Sequence, residues 1–240
     1  MITEKKRLWL RSVSVLLDDE KASQFLSSGV YDSIQVLSYA SNLWPGVEPK
    51  TKTTAFIDLL SSEDDMLARM SDTTRNEIRR TYKIPELSFS APEPVSDDVY
   101  SMYLRFEISQ GRTPIGRAEM SHYRAIVGRY NGEPFSAVTM IEAKPFLRIR
   151  SIFSKRLAAD KEMQKVIGYA SRRVMWEWCL WGKKNGFEKL DVASVNLTDE
   201  GKKGISAFKL SFGGEIGHEY HYAYKKHVFQ MLEKLSHMIR

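Results

Sequence analysis

The spacing of apolar residues divides the C-terminal half of the chain into strands and helices. Residues 134–143 and 146–154 are rich in β-branched and aromatic residues, and Lys144-Pro145 between them predicts a hairpin. From Met163 to Trp181 apolar residues recur at the i, i+3, i+4, i+7 interval of one buried helical face, and Asn185-Gly186 ends this helix. A helix between two strands predicts parallel neighbours joined by a right-handed crossover. The later predictions are a strand at 187–195, a helix at 199–212, a strand at 218–226 and a terminal helix at 227–240.

The N-terminal half has a less regular pattern. Strands are predicted at 31–40 and 53–60, and a helix at 62–83, which opens with Ser62 and an acidic first turn. The segment 84–98 is rich in proline and serine, which predicts a linker. Helical spacing follows at 97–111 and 113–128, although the border between the second of these and the next strand is open.

Charge and cysteine content narrow the class of protein. The 36 Lys and Arg against 30 Asp and Glu give a formal net charge of +6, which favours polyanionic partners such as CoA, nucleotide sugars, tRNA or anionic lipid headgroups. An ordinary basic soluble protein fits that charge equally well. The single cysteine, Cys179, excludes an intrachain disulfide and lies among tryptophans, as a buried apolar residue would. The basic residues 5–7 precede an apolar run that Arg11 interrupts, so we expect no secretion signal and a cytoplasmic protein.

Four stretches resemble the Fem family, the aminoacyl-tRNA-dependent transferases that build peptidoglycan cross-bridges. Residues 57–80 resemble the family's strand "IDL" and a helix ending in an Arg-Asn-x-Ile-Arg pattern, and 167–192 resemble its long helix and following strand. Residues 204–215, "GISAFKLSFGGE", resemble its Phe-Lys-x-x-Phe-Gly-Gly signature, and "ASVN" (193–196) is similar to the strand-to-asparagine step of GNAT proteins. The resemblance implies an α+β fold with a mixed sheet, of the GNAT acyl-CoA N-acyltransferase type.

The chain departs from the family pattern in three ways. Fem enzymes contain two GNAT-like domains, and 240 residues are too few for both, so we expect a reduced N-terminal αβ part over 1–90 and a GNAT-like catalytic domain over 91–240. The segment 154–168 lacks the glycine-rich loop of GNAT enzymes that use acetyl-CoA, since Gly168 is its one glycine. Many GNAT enzymes also protonate the leaving thiolate with a tyrosine, and the matching helix offers Phe208 instead. The last two departures weaken acetyl-CoA as the donor.

The resemblance implies a donor cleft between the fourth and fifth strands of the catalytic domain, here 146–154 and 187–195. The first strand would pair its backbone with the donor, and cations near the start of the long helix would bind the donor's anionic part together with the helix amides. Solvated loop cations are the alternative. The candidate donor-binding residues are Ile152, Phe153, Ser154, Lys155, Arg156, Lys165, Gly168, Asn196 and Phe208.

Lys209 is the leading candidate for a catalytic group. Phe208 and Phe212 are four residues apart and share a helical face, so Lys209 would emerge at the edge of their packing, near the mouth of the cleft. The resemblance implies a role at the donor phosphate or the oxyanion. A lysine favoured by the helix dipole, with Gly213-Gly214 as the cap, is the alternative.

Further candidates lie on the neighbouring strands. Tyr220 or Tyr222 is a candidate for the missing proton donor, although packing is the more frequent role of tyrosines that share one strand face. Asp191 and Asn196, at the fifth strand and its exit, would orient the acceptor or cap the next helix. The histidines of "HEYH" (218–221) are three residues apart on a predicted strand, which argues against a metal site.

The acceptor is expected at the basic end of the helix predicted at 62–83. Arg75 and Arg79 are an i, i+4 pair on one face, suited to a phosphate or carboxylate, and Asn76 lies beside them. A basic last turn that offsets the helix dipole is the alternative.

Together these features predict an N-acyltransferase that acts on an amine of a cell-envelope or surface-polysaccharide precursor. The acceptor amine would attack the bound ester or thioester directly, because no activated nucleophile is visible. The donor would be acyl-CoA or aminoacyl-tRNA, with no tightly bound cofactor, and a peripheral contact with the inner membrane surface is conceivable. The alternative is a non-catalytic protein of the same fold that binds RNA or a protein partner.

Overall fold

The structure of the chain, a computed structural model, describes residues 1–7, 9–41, 43–44, 47–156, 159–196, 198–227 and 229. The chain forms two compact units: unit 1 comprises Met1–Thr54 and the segment from Ile216, and unit 2 comprises Ala55–Glu215. These boundaries do not coincide with the predicted division at residue 90. The assignment of a catalytic domain to residues 91–240 stays a prediction. The terminal helix predicted at 227–240 lies, except for residues 227 and 229, outside the described residues.

Among the described elements, the longest helix, α6, and the longest strands, β8 and β11, lie after residue 124. In chain order they are β1 (Ile2–Arg7), β2 (Leu10–Leu16), α1 (Asp19–Ser28), β3 (Ser33–Ser38), β4 (Lys50–Asp58), α2 (Glu63–Arg69), α3 (Asp72–Thr81), β5 (Leu87–Phe89), β6 (Glu93–Pro94), α4 (Asp97–Ser109), α5 (Arg117–Met120), β7 (Arg124–Tyr130), β8 (Glu133–Ala143), β9 (Phe146–Ser154), α6 (Lys161–Lys184), β10 (Lys189–Asp191), α7 (Glu200–Leu210) and β11 (Glu215–Lys225). In the described part of the chain, no helix is long and apolar enough to cross a bilayer.

Unit 1 is a small mixed sheet that carries α1. Strand β2 pairs with β1 in the antiparallel and with β3 in the parallel direction, and β3 pairs with β11 in the antiparallel direction. Alternate residues of β2, Val13 and Val15, are almost completely buried against Ala22 of α1, as the two-residue period of a strand requires. The α1 helix begins at Asp18, whose carboxylate accepts a hydrogen bond from the Lys21 amide (3.1 Å), and ends at Gly29 in the left-handed conformation.

Unit 2 contains a mixed sheet with helices on both faces. Its order is β4-β10-β9-β8-β7, and both β5 and β6 pair with β7. The predicted β8–β9 hairpin is confirmed, as is the parallel pairing of β9 with β10 across α6. Alternation along β9 places Ile152 in the core beneath α6 and Phe153 against Tyr103 of α4 (ring centroids 5.3 Å apart), so α6 and α4 cover opposite faces.

The α6 helix supplies much of the unit 2 core. Val174, Trp178 and Cys179 lie on the predicted apolar face and are 0% exposed, and the Trp178 indole donates a hydrogen bond to the Val138 carbonyl (2.9 Å). Burial raises the pKa of the Cys179 thiol to about 12, so this side chain stays an uncharged apolar group at neutral pH, as predicted.

Three local predictions were wrong. The segment 84–98 is not a free linker, because β5 and β6 within it pair with β7. The helix predicted at 62–83 is two helices, since Met70 has an extended backbone and Ser71 caps α3 through the Thr74 amide. The apolar spacing at 113–128 covers only the four-residue helix α5 before β7 begins at Arg124.

Candidate functional site

Strands β9 and β10 run side by side for three residues and then separate. The paired positions are Phe146 with Lys189, Leu147 with Leu190, and Arg148 with Asp191. Beyond Arg148, β9 continues to Ser154 with no described strand on this edge. The chain leaving β10 stays beside β4, with which β10 pairs, and the Val192 amide donates to the Ala55 carbonyl (3.0 Å). The two strands therefore form an open fork, as predicted.

Backbone irregularities occur on both sides of the fork. The register of β8 with β9 shifts so that Met140 faces Ile149 and Thr139 faces Ser151, which leaves Arg150 as an extra, bulged residue. A bulge bends a strand and increases its twist, and bulges are frequent beside active sites. On the other side Ala193 has φ +61°, a left-handed conformation that ends the extended backbone after Asp191. The strand predicted at 187–195 is therefore shorter than expected.

A buried ion pair lies at the base of the fork. The Arg148 guanidinium binds the Asp191 carboxylate at the last paired position of the two strands, and these residues are only 7% and 0% exposed. The other Asp191 oxygen accepts a hydrogen bond from the Ala193 amide (2.7 Å). Asp191 therefore fixes the point at which the chain leaves β9, whereas its predicted roles, orienting the acceptor or capping the next helix, stay predictions.

A cavity of about 230 Å³ occupies the fork. Its lining is largely apolar and includes Arg156 and Arg172, so it can hold an extended apolar group with an anionic end. Six of the predicted donor-binding residues line it: Ile152, Phe153, Ser154, Arg156, Gly168 and Phe208. The remaining lining residues are Phe106, Ser171, Arg172, Gly204 and Ile205.

The other predicted donor-binding residues lie outside this cavity. Lys155 is near Glu133 (3.7 Å) and faces a different depression, and Lys165 is exposed and bound to Glu162 (2.8 Å). The Asn196 side-chain oxygen accepts hydrogen bonds from the Thr198 and Asp199 amides, so Asn196 shapes the loop that enters α7. The N-cap of α7 is Asp199, whose carboxylate accepts the Gly201 amide hydrogen bond (3.0 Å), so Asn196 does not cap this helix as one of its two predicted roles required.

The start of α6 is less suited to an anion than the sequence indicated. Asp160 is the N-cap residue, and its carboxylate accepts the Met163 amide hydrogen bond (2.9 Å). A negative charge therefore already lies where the helix amides would bind the donor's anionic part. Residues 157 and 158 of the segment 154–168 are outside the described residues.

Lys209 lies on the side of the fork formed by the chain leaving β10. Its ammonium group donates a hydrogen bond to the Ser194 carbonyl (2.9 Å), one residue after the left-handed Ala193. Its neighbour Phe208 lines the cavity and contacts Phe212 edge to face (5.4 Å between ring centroids), as the shared helical face predicts. Lys209 itself is not among the described residues that line the cavity; it is half-buried beside it.

The double glycine after α7 allows close backbone packing. Gly213 has φ +75°, and a β-carbon there would overlap the backbone carbonyl of Arg69 at the end of α2. Nearby, the Ser71 amide donates to the Ser211 carbonyl (2.9 Å), and the Thr74 hydroxyl donates to the Ser211 hydroxyl (2.7 Å). The stretches 57–80 and 204–215, which carry the Fem resemblance, are thus in direct contact.

We expect Gly213→Ala to lower the free energy of unfolding by about 2–4 kcal/mol, because a left-handed alanine costs ~1 kcal/mol or more and the overlap with Arg69 adds to it. Gly204→Ala is the matched control: Gly204 is in α7 with no atom near its would-be β-carbon, and the change should be neutral or stabilising. Urea unfolding followed by circular dichroism measures both. Equal stabilities of the two variants would contradict this explanation of the glycine.

The predicted acceptor residues on α3 have different environments. The Arg75 guanidinium donates to the carbonyl oxygens of Leu67, Ala68 and Met70, so it caps the C-terminus of α2. Asn76 and Arg79 are exposed. Arg75 therefore has a structural function in this position, and acceptor binding by Asn76 and Arg79 stays a prediction.

The predicted tyrosines belong to unit 1. Tyr222 is 2% exposed, and its hydroxyl donates to the Ala40 carbonyl (2.6 Å) and accepts from the Leu43 amide (3.1 Å). These bonds and its edge-to-face contact with Trp44 give it a packing role, which does not favour proton donation. Tyr220 packs against the same core, and His221 of "HEYH" contacts Glu219 (2.9 Å).

Sequence reasoning missed Arg172 and Arg148. Arg172, on α6, forms a salt bridge with Glu77 of α3 (2.7 Å), lies 5.4 Å from the centre of the Phe208 ring and lines the cavity. The pair Arg172-Arg173 in the middle of the long predicted helix was the available signal. A second depression of about 450 Å³, beside α4, shares Phe106 and Ser154 with the fork cavity, so the two open on either side of these residues.

Comparisons with known proteins agree with the fold. No family model and no curated protein sequence matches the chain. Among solved structures, FemX is similar with a TM-score of 0.65 and 9% identity, over 97% of this chain and 86% of that one. The C-terminal domain of a putative lysylphosphatidylglycerol synthetase from Agrobacterium fabrum has a TM-score of 0.59 and 12% identity, over 97% and 83% of the two chains. L-PGS from Bacillus licheniformis has a TM-score of 0.54 and 13% identity, over 94% and 82%. The chain therefore has the predicted α+β, GNAT-like fold with a mixed sheet, the fold that it shares with FemX and these synthetase domains.

Proposed function

We propose that the chain is an N-acyltransferase that binds an activated acyl or aminoacyl donor in the fork between β9 and β10. The open fork is the observation that carries the proposal. It offers an edge of β9 from Ile149 to Ser154 that pairs with no described strand, and a largely apolar cavity whose lining includes two arginines. An extended donor with amide groups and an anionic carrier matches each of these features.

The reaction would be direct transfer. The acceptor amine attacks the donor's carbonyl carbon, a C–N bond forms, and the C–O or C–S bond to the carrier breaks. The amine loses a proton to water, and the leaving oxygen or sulfur takes up a proton from water. Backbone amides on the free edge of β9 are suited to the developing oxyanion, and we propose that Lys209 contributes positive charge beside them.

The depression beside α4 is suited to the acceptor. It meets the fork cavity at Phe106 and Ser154, and its wall carries both cations, such as Arg105 and Lys155, and the carboxylates of Asp98 and Glu133. An amine-bearing polar molecule, such as a cell-envelope precursor, would approach the donor carbonyl from this side. The similarity of the fold to FemX is in keeping with that class of acceptor.

A thermal-shift screen with acyl-CoAs and with aminoacyl-tRNAs tests the proposal. A donor at about 100 times its Kd stabilises the native state by ~2.7 kcal/mol, which corresponds to a Tm increase of about 5–10 °C for a chain of this size. Incubation of the protein with the stabilising donor and a panel of amines should then release the free carrier, CoA or tRNA. An unchanged Tm with every donor would contradict the proposal.

Two variants of Gly168 test whether the donor-induced increase in Tm comes from binding in the fork. Gly168 lines the cavity on α6, and a β-carbon there would meet no atom within 4 Å. Gly168→Leu should therefore fold normally while its side chain fills the cavity and abolishes the donor-induced shift. Gly168→Ala adds one methyl group and should keep most of it. An equal donor-induced increase in Tm in both variants would show that the donor binds outside the fork cavity.

A non-catalytic binding protein is the second candidate. The Asp160 carboxylate at the start of α6 and the Phe208 ring in place of a tyrosine are the observations that favour it. This candidate predicts no donor-induced shift and salt-sensitive binding of uncharged RNA, or binding of a protein partner.

A further inference from the structure

The turn between β1 and β2 presents an exposed tryptophan. Trp9 lies in the turn after β1, directly before β2, and is 64% exposed, whereas Trp44, Trp176 and Trp178 are at most 5% exposed. Its own strands are short, and their packing does not cover the indole. A solvent-exposed indole at the tip of a hairpin contributes nothing to the unit 1 core, so folding of this unit does not explain the residue.

Basic side chains surround this tryptophan. Lys6 and Arg11 are directly opposite each other across the two strands, and both are exposed. Like charges at opposed positions of an antiparallel pair destabilise it. Lys6 forms no ion pair with a described residue, and Arg11 is near Asp32, whose carboxylate accepts the Arg11 amide hydrogen bond (2.8 Å) and also pairs with Lys226 (3.4 Å). Residues 4–11 hold four cations and one carboxylate in sequence.

An exposed aliphatic residue lies at the same end of the sheet. The Asp32 amide donates to the Arg11 carbonyl (2.8 Å), and Val30, two residues earlier, is 46% exposed. The tip therefore combines an indole, an aliphatic group and opposed cations. Indole rings favour the headgroup level of a bilayer, and each nearby Lys or Arg adds attraction to anionic lipids.

We propose that this hairpin tip, formed by Lys6, Trp9, Arg11 and Val30, docks on an anionic lipid surface. The indole and the valine would enter the headgroup region, and the lipid phosphates would neutralise the opposed cations of β1 and β2. A single-stranded nucleic acid fits less well, because such sites align successive aromatic rings and gain nothing from an exposed valine. The proposal is independent of the activity proposed for unit 2.

The test is sedimentation of the full chain with vesicles of phosphatidylcholine alone and of phosphatidylcholine with phosphatidylglycerol. We expect binding only to the second kind, falling with added salt. Lys6→Gln with Arg11→Gln should weaken the partition coefficient roughly twentyfold, and Trp9→Ala should weaken it by about tenfold. Vesicles should also shift the tryptophan emission to the blue, and Trp9→Phe should remove that shift.

Matched controls use exposed residues of unit 2. Leu60→Ala removes an apolar side chain that is 70% exposed, and Lys202→Gln with Lys203→Gln removes two exposed cations; neither should change vesicle binding. Circular dichroism checks that each variant is folded. The proposal is overturned by absent binding to phosphatidylglycerol vesicles, by tip and control variants that bind alike, or by tip-dependent binding of an RNA oligonucleotide without vesicle binding.

Discussion

Replacing Lys209 by methionine is expected to lower kcat/KM for acyl transfer by about 100-fold, the effect of removing one group that stabilises an oxyanion. The expectation rests on the position of the ammonium group beside the fork, bound to the Ser194 carbonyl (2.9 Å) where the chain leaves β10. Methionine keeps the length of the aliphatic stem, so the packing around Phe208 should survive. The lost hydrogen bond should lower the free energy of unfolding by only about 1–2 kcal/mol.

Two further variants separate charge from positioning. Lys209→Arg keeps a cation that can reach Ser194, so it should retain part of the activity. Lys203→Met removes an exposed cation from the same helix, paired with Glu200 (3.2 Å), and should leave the rate unchanged. A Lys209→Met enzyme that binds donor normally and turns over as fast as wild type would refute the proposed role. If Lys209→Met lost both the activity and the donor-induced increase in Tm, Lys209 would instead hold the fork in the shape that binds the donor.

An Arg148→Ala variant is expected to lose about 3–5 kcal/mol of unfolding free energy, because it leaves the Asp191 carboxylate charged and buried without its partner. Asp191 is 0% exposed, so water cannot replace the guanidinium. Replacing both residues, as Arg148→Met with Asp191→Leu, removes both charges and should recover most of the loss. Urea unfolding of the four proteins measures the coupling.

A surface ion pair is the control for this prediction. Arg112, at 59% side-chain exposure, is 3.5 Å from Glu107, and its replacement by alanine should cost less than about 1 kcal/mol. If Arg148→Ala were as stable as Arg112→Ala, the pair at the base of the fork would contribute no more than a solvated one.

Long periodic stretches of the sequence predicted the structure well. The apolar face of α6, the β8–β9 hairpin and the parallel neighbours that α6 connects followed from spacing and turn residues alone. The segment 84–98 was misassigned because its prolines suggest a loop, whereas a two-residue strand such as β6 needs only a neighbouring edge with which to pair. The N-terminal strands β1 and β2 were not predicted, and no alternation marks β1, because Ile2 is the one apolar residue of this strand.

The cavity was easier to predict than its charges. The predicted strand edge and the glycine and phenylalanine that line the fork depend on backbone order, which the resemblance implied. The distribution of cations depends on side-chain partners distant in sequence, such as Glu133 for Lys155 and the carbonyls of α2 for Arg75. Such pairings are set by tertiary packing, so spacing along one element could not indicate them. The bulge at Arg150 is likewise invisible to a two-residue period.

The edge of β9 that pairs with no described strand also favours some of the proposed donors over others. Peptide groups that face one side of a strand repeat at every second residue, or about 6.8 Å. A carrier whose own amides are spaced at that interval can bond to this margin as a missing strand would, whereas a plain alkyl chain of equal length must leave those groups unsatisfied. In the proposed donor site, the regular backbone of residues 151–154 beyond the bulge would therefore favour carriers whose amide groups have this spacing, whatever the acyl group.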